Sequence, residues 1–212
     1  MQGLGPPDAD LIPTPWPNPV PAPTVDASKS KSPRVVSAEM LSASKSKFTI
    51  YINGVPSRPG PEGGTGSNPV NVDLPESAFT RTTLLAVKEE EMAEAGRDMI
   101  FSYVLQVTLS TGKKLVFISS EPEQHRGYFD STGLNLPHRD SKGREWNVLG
   151  FEDGGWLRGK DIQVLDVPHP GIDEAKDGRL RTKFLSVAPK ARSESIHSCQ
   201  YWRRILILWE GD

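Results

Sequence analysis

The sequence predicts a mainly β protein, an antiparallel β-sandwich or jelly-roll-like single domain that follows a disordered proline-rich arm. Three observations predict this class. Large apolar residues are scattered over the first 46 of the 212 residues and recur in regular runs afterwards. Several of those runs alternate with a period of two, as half-buried strands do. Strands do not alternate with long amphipathic helices, which disfavours a parallel doubly wound sheet.

The predicted arm covers residues 1–46, and the predicted β-rich domain covers residues 47–212. The stretch PTPWPNPVPAP, from Pro13 to Pro23, has a proline at every second position. Proline fixes φ near −65° and disfavours the helical region for the preceding residue, so this stretch is expected to be extended and stiff. We interpret it as a spacer, with Trp16 as a candidate contact for an aromatic-lined groove in a partner.

The second half of the arm is basic. The stretch from Ala27 to Lys47 contains five basic residues and one acidic residue, Glu39. Clustered bases attract phosphates weakly and without sequence preference. We therefore expect this stretch to make, at most, weak contacts with nucleic acid or acidic lipid, and its candidate binding residues are Lys29, Lys31, Arg34, Lys45 and Lys47.

The domain reads as about eight strands. The first, KFTIYINGV, places Phe48, Ile50 and Ile52 on one face. The strongest hairpin signal in the chain is the Gly-containing turn STGKK, which follows MIFSYVLQVTL and precedes LVFIS. The other predicted strands are AFTRTTLLAV, EWNVLGF, DIQVLDV, RLRTKFLSV and YWRRILILW.

Two segments carry more specific expectations. AVKEEEMAEAGR, from Ala86 to Arg97, is rich in helix formers and is predicted as the one short helix. Ile205 to Leu208 are four consecutive aliphatic residues in the last strand. Neighbouring strand residues point to opposite faces, so this strand is predicted to be buried on both faces, in the core or at a subunit contact.

Charge and cysteine content suggest the compartment. The formal net charge is −2, which gives no overall attraction to nucleic acid or anionic membranes. Cys199 is the one cysteine, which excludes an intramolecular disulfide. The first residues lack the pattern of a secretory signal, and no apolar stretch approaches the length of a membrane helix. We expect a soluble protein of the reducing cytoplasm, without a transmembrane segment or cofactor.

The richest local patch is WNVLGFEDGGW, from Trp146 to Trp156. Sugar-binding modules stack a pyranose ring on an exposed indole and hydrogen-bond it through side chains such as Asn and Asp. The candidate ligand residues are Trp146, Asn147, Asp153 and Trp156. The competing interpretation is that both indoles are core or edge-covering residues.

Two sets of residues suggest an enzyme as a further alternative. His125, Glu123 and Asp130 lie in EPEQHRGYFD, which is predicted to be a polar loop where an imidazole and carboxylates could converge. His197 and Cys199 have the spacing that places both on one face of a strand, as a nucleophile and base or two metal ligands would be. The glycine-rich stretch from Arg58 to Pro69 lacks the Lys-Ser or Lys-Thr of a phosphate-binding loop and is predicted to be a surface loop.

The predicted chain has an arm that is first proline-rich and then basic, followed by a compact β domain. This layout is similar to that of some viral coat and matrix proteins. That similarity concerns layout alone and rests on no diagnostic motif. Together with the weak catalytic patterns, it favours a non-enzymatic structural or interaction protein that self-associates or binds a partner. A carbohydrate-binding module and a hydrolase or metal-dependent enzyme stay as alternatives.

Overall fold

Two antiparallel β-sheets packed face to face form the fold. The computed structural model of the chain describes residues 32–44, 46–57, 66–90, 99–130, 139–165, 184–186 and 198–210. Their strands are β1 Val35–Ser44, β2 Lys47–Ile52, β3 Val55–Pro56, β4 Gly66–Asp73, β5 Thr82–Glu90, β6 Phe101–Leu109, β7 Lys114–Ile118, β8 His125–Asp130, β9 Leu157–Arg158, β10 Gln163–Leu165, β11 Phe184–Ser186 and β12 Cys199–Ile207. The predicted mainly β class with two packed antiparallel sheets is confirmed.

Sheet A has the order β10-β11-β6-β1-β4, and β7 pairs with β6 on the side opposite β1. Sheet B has the order β3-β2-β5-β12-β8-β9. All of these pairings are antiparallel. The long strands β5 and β12 lie side by side at the centre of sheet B, where they are paired on both sides.

The main core fills the space between the two sheets. Sheet A contributes Met40, Phe101 and Leu105, which are buried side chains of β1 and β6. Sheet B contributes alternate residues of its strands, which include Ile50 and Trp202. Because side chains alternate across a strand, the residues between them point to the other face of sheet B.

The turn between β2 and β3 is the Asn53-Gly54 pair. Both residues have positive φ, 49° and 86°, as a two-residue type I′ hairpin turn requires. A Cβ on Gly54 would lie 3.0 Å from Cγ1 of Val148, so glycine also permits the close approach of the segment 139–158. Asn53 Oδ1 accepts a hydrogen bond from the backbone N–H of Leu84, at 2.7 Å, which ties the turn to β5.

Several expectations about single elements are wrong. Strand β1 lies inside the predicted arm, between β6 and β4, so ordered structure begins well before residue 47. Strand β5 continues through Ala86 to Glu90, where a helix was predicted, because its residues pair with both β2 and β12. The rest of the predicted helix, 91–97, lies outside the described residues.

The polar stretch EPEQHRGYFD and the glycine-rich stretch were also misread. His125–Asp130 is strand β8, which pairs with β12. Residues 66–69 begin strand β4, and 58–65 lie outside the described residues. Conversely, the predicted strand EWNVLGF is a series of turns. Periodicity failed here because pairing with distant strands and the packing of aromatic side chains override local patterns.

Candidate functional site

The outer face of sheet B, the face turned away from sheet A, carries the candidate site. In β12, Trp202, Arg204 and Leu206 point inward, while Tyr201 and Arg203 point outward. A segment without long strands, residues 139–158, covers part of this outer face. The remainder, around Ile205 and Ile207, lies open to solvent.

Aromatic residues attach the covering segment to the sheet. Trp146, Phe151 and Trp156 form a second core cluster with outward residues of β5 and β12: Leu84, Ala86, Cys199 and Tyr201. The two indoles stack on each other, with ring centroids 6.4 Å apart. The segment behaves as a third layer over half of the face.

Asp140 fixes the turn at the start of the covering segment. Its Oδ1 accepts hydrogen bonds from the backbone N–H groups of Lys142 and Arg144, both at 2.9 Å. Its Oδ2 accepts from the backbone N–H of Glu152, at 3.0 Å, and from Nε of Arg144. Desolvation acts to raise the pKa of Asp140, but these hydrogen bonds outweigh it and lower the pKa to about 2.

Arg203 is held rigidly where the cover meets the sheet. Its guanidinium forms an ion pair with Asp153 and donates to the carbonyl of Val148, at 2.9 Å. The same group lies over the ring of Phe151, 5.1 Å from the centroid. The residue is 3% exposed, and desolvation lowers its pKa although Asp153 acts in the opposite direction.

Three arginines stand directly opposite one another on this face. In the strand register Arg203 of β12 pairs with Arg126 of β8, and Arg126 pairs with Arg158 of β9. Like charges in directly opposite positions destabilise a sheet. Within the described residues Asp153 forms an ion pair with Arg203, and neither Arg126 nor Arg158 has an ion-pair partner.

Beside this arginine row lies a cleft of about 220 Å³. Its apolar residues are Leu84 and Ile205, and its polar lining residues are Glu123, Gln124, Arg126, Asp153 and Arg203. Ile205 and Ile207 are each 55% exposed. The prediction that residues 205–208 are buried on both faces is therefore wrong for the outward pair, because the covering segment leaves that end of the face open.

The predicted sugar-binding patch does not form an exposed platform. Trp146 and Trp156 are 5% and 6% exposed and pack against Tyr201 and Phe151. Asp153 pairs with Arg203, and Asn147 lies beside the Asn53-Gly54 turn, half-buried. Indoles buried in this way cannot stack on a pyranose, so the carbohydrate interpretation loses its main residues.

The predicted basic binding residues are placed in part. Arg34 is exposed, and its backbone is hydrogen-bonded to Ser110 at the turn between β6 and β7. Lys47 is exposed in β2, opposite Glu90. Trp16, Lys29, Lys31 and Lys45 lie outside the described residues.

His125 belongs to an internal network and not to a surface site. Its Nε2 lies 2.9 Å from the hydroxyl of Tyr103, and its Nδ1 lies 2.7 Å from the carbonyl of Glu121. Arg204 joins the network by donating to Tyr103 and pairing with Glu121. Desolvation lowers the pKa of His125 to about 3, so the ring is neutral at physiological pH.

The other predicted catalytic groups are not brought together. Glu123 is exposed, whereas Asp130 is buried at the opposite end of β8 from His125. Cys199 is 7% exposed, and desolvation raises the pKa of its thiol. His197 lies outside the described residues. Among the residues that the structure describes, no three side chains of His, Cys, Asp or Glu are grouped to hold a metal ion.

Glu89 is a buried carboxyl that sequence reasoning missed. It is fully buried between the sheets and accepts hydrogen bonds from Ser44 of sheet A and from Gln200 and Trp202 of sheet B. Desolvation raises its pKa to about 7, although these hydrogen bonds act to lower it. Three glutamates stand in a row at Glu89-Glu90-Glu91, and nothing in that run indicates that one of these carboxyls is buried.

The class of protein that these features define is a two-sheet antiparallel β protein with a partly covered outer face. Comparison with family models, curated proteins and solved structures gives no match to this chain. Among the described residues, no helix has the length and apolar character that a membrane span requires. The function must therefore be argued from the site itself.

Proposed function

We propose that this protein is a non-enzymatic interaction protein that self-associates through the open part of sheet B's outer face. The observation that carries this proposal is the 55% exposure of Ile205 and Ile207 on β12, a central strand. Exposed aliphatic residues at adjacent positions of one face form a patch that association would cover. The occupant that we propose is a second copy of the chain.

The state of the candidate catalytic groups supports the non-enzymatic part of the proposal. A general base needs a pKa near the working pH, and a nucleophilic cysteine needs a lowered one. His125 has a pKa of about 3 and hydrogen-bonding partners at both ring nitrogens. Cys199 has a raised pKa and lies in an aromatic cluster. Both have the environment of structural residues.

Light scattering over a range of protein concentrations tests self-association. We expect the wild-type mass to rise with concentration and the double variant Ile205→Asp, Ile207→Asp to stay monomeric, because burying two carboxylates in an apolar contact is costly. Val116→Asp is the matched control, since Val116 is 44% exposed on β7 of the other sheet. A wild-type protein that is monomeric at every concentration would rule the proposal out.

The same measurement with added RNA tests the basic stretch. Contacts through Lys29, Lys31, Arg34, Lys45 and Lys47 would be weak and would disappear as salt is raised. Alanine at the four lysines should then abolish RNA retention at low salt. Unchanged retention would remove nucleic-acid contact by this stretch from the proposal.

A further inference from the structure

The arginine row of sheet B, Arg158-Arg126-Arg203, is the feature that neither the core nor the covering segment explains. The strand register places the three residues directly opposite one another, so each adjacent pair brings two positive charges together on one face. Such an arrangement costs stability in a sheet. Natural proteins break local rules of this kind mainly at functional sites and offset the cost elsewhere in the fold.

The fold itself neutralises one charge of this row. Asp153 forms an ion pair with Arg203, and the charge of Arg126 contributes to lowering the pKa of Arg203, after desolvation. Arg126 uses Nη1 to donate to the carbonyl of His125, at 3.0 Å, and has no ion-pair partner among the described residues. Arg158 is exposed at the edge of the sheet. Among the residues that the structure describes, Arg126 and Arg158 therefore have no negatively charged acceptor.

The surroundings of the row indicate the kind of anion. The adjoining cleft has a volume of about 220 Å³, enough for one side chain or a few ligand atoms, and its apolar surface comes from Leu84 and Ile205. Ile207 continues the apolar surface along β12. A ligand that binds both the arginine row and the apolar surface carries a carboxylate next to an aliphatic group. This is the chemistry of an acidic peptide segment.

A nucleic-acid backbone fits this face less well. Phosphodiesters are bound by extended basic surfaces, and bases stack on exposed aromatic rings. Here the cleft is also lined by Glu123 and Asp153, and the indoles of the covering segment are buried. The carboxylates would repel a run of phosphates but leave room for a single carboxylate at Arg126.

We infer that the arginine row and the adjoining cleft bind an acidic, aliphatic segment of a partner protein, with a carboxylate of that segment held between Arg126 and Arg158 and an aliphatic side chain against Ile205. Arginine suits this role because its planar guanidinium can bind a carboxylate through two parallel hydrogen bonds. Arg203 also lines the cleft, but its charge is paired with Asp153, so the carboxylate of the ligand is left to Arg126 and Arg158. This inference goes beyond self-association and does not require it; because both would use Ile205, the partner segment and a second copy of the chain would compete for this patch.

Fluorescence anisotropy on the full chain tests the inference. The probes are a labelled peptide with a single Glu among Leu and Ser residues (the Glu peptide), the same peptide with Lys in place of Glu, and labelled single-stranded oligothymidylate. We expect the Glu peptide to bind, the Lys peptide not to bind, and raised salt to weaken the binding. Arg126→Glu should weaken binding of the Glu peptide by about tenfold or more, the effect of losing roughly 1.4 kcal/mol.

Two further variants make the result specific. Arg158→Glu should weaken binding in the same direction, whereas Lys114→Glu, the same charge change at an exposed position of β7, should leave it unchanged. The fold of each variant is checked by thermal unfolding. The inference would be overturned if all three variants lost affinity for the Glu peptide equally, or if Arg126→Glu bound the peptide as tightly as wild type.

The outcomes also separate this inference from self-association. Tighter binding of oligothymidylate than of the Glu peptide would assign the row to phosphodiesters and overturn the inference, whatever the mass of the protein. A Glu peptide that binds a strictly monomeric protein would leave this inference standing and remove self-association. Self-association that depends on Ile207, with no binding of the Glu peptide, would support self-association and overturn this inference.

Discussion

At the scale of single residues, two polar networks within the described part of the chain join the sheets. In one, Glu89 connects Ser44 of sheet A with Gln200 and Trp202 of sheet B. In the other, Tyr103 of sheet A meets His125 and Arg204 of sheet B. Buried polar groups are costly unless satisfied, so these networks restrict how the two sheets can pack.

Glu89 gives a prediction about pH and stability. Its pKa is about 7 in the folded protein and about 4.5 in an unfolded chain, so between these values the folded state holds a proton that the unfolded state has lost. The free energy of unfolding should therefore fall by on the order of 3 kcal/mol as pH rises from 4.5 to 7. Above pH 7, Glu89 should contribute little further change.

Glu89→Gln should remove most of this pH dependence and make the protein more stable than wild type at pH 8. A neutral amide can keep the contacts with Gln200 and Trp202, while the hydroxyl of Ser44 turns to accept. Urea unfolding at pH 5 and pH 8 measures the effect. Glu90→Gln, at the half-buried neighbour that pairs with Lys88, is the control and should retain the slope. A slope that survives in Glu89→Gln would contradict the assignment.

At the scale of elements, the segment 139–158 does the work of an additional layer without forming a long strand or helix. Its three aromatic residues bury the outward face of β5 and β12, and Asp140 holds its first turn together. Its cover is incomplete, which is why half of the face is core and the other half is the candidate site.

Trp156 should therefore contribute strongly to the stability of the fold. Replacing a buried indole with alanine costs on the order of 3 to 5 kcal/mol, so Trp156→Ala should lower the urea midpoint strongly. Leu157→Ala, at the neighbouring residue that is 39% exposed, is expected to change it little. A Trp156→Ala protein as stable as wild type would mean that the indole is not part of the core, and would reopen the sugar-binding interpretation.

Strand β1 gives a prediction about truncation. Its register pairs Glu39 to Ser42 with β4 and Ala38 to Ser44 with β6, so its removal would open sheet A in the middle. A chain that begins at Ser46 should fail to unfold cooperatively, whereas one that begins at Ser32 retains every described strand. Thermal unfolding of both truncated chains compares them. A cooperative transition for the shorter chain would show that β1 is dispensable.

At the scale of the whole molecule, stability and the candidate interaction surface meet in one strand. β12 pairs with β5 and β8, contributes Trp202 and Leu206 to the main core and Tyr201 to the second cluster, and ends in the exposed Ile205 and Ile207. Any event that frees β12 must disrupt sheet B as a unit.

Cys199, the one cysteine, can report that event. The thiol is buried at the start of β12 and its pKa is raised by desolvation, so alkylation at pH 8 should be slow in the native protein. Where opening and closing are fast, the labelling rate should increase with urea in proportion to the unfolded fraction. Labelling of native protein as fast as of unfolded chain would show that this end of β12 opens locally.

The sequence by itself determined the class of this protein and its best strands. Alternating apolar residues at Phe48 to Ile52 and around STGKK predict β2 and the β6-β7 hairpin, because period-two patterns and turn residues act locally. The register of distant strands has no such local signal. Only the tertiary structure set Arg126 opposite both Arg158 and Arg203, buried Glu89 but left Glu90 partly exposed, and buried the indoles of Trp146 and Trp156. In each case the deciding interaction joins residues far apart in the chain, and its free energy depends on which groups the fold desolvates together.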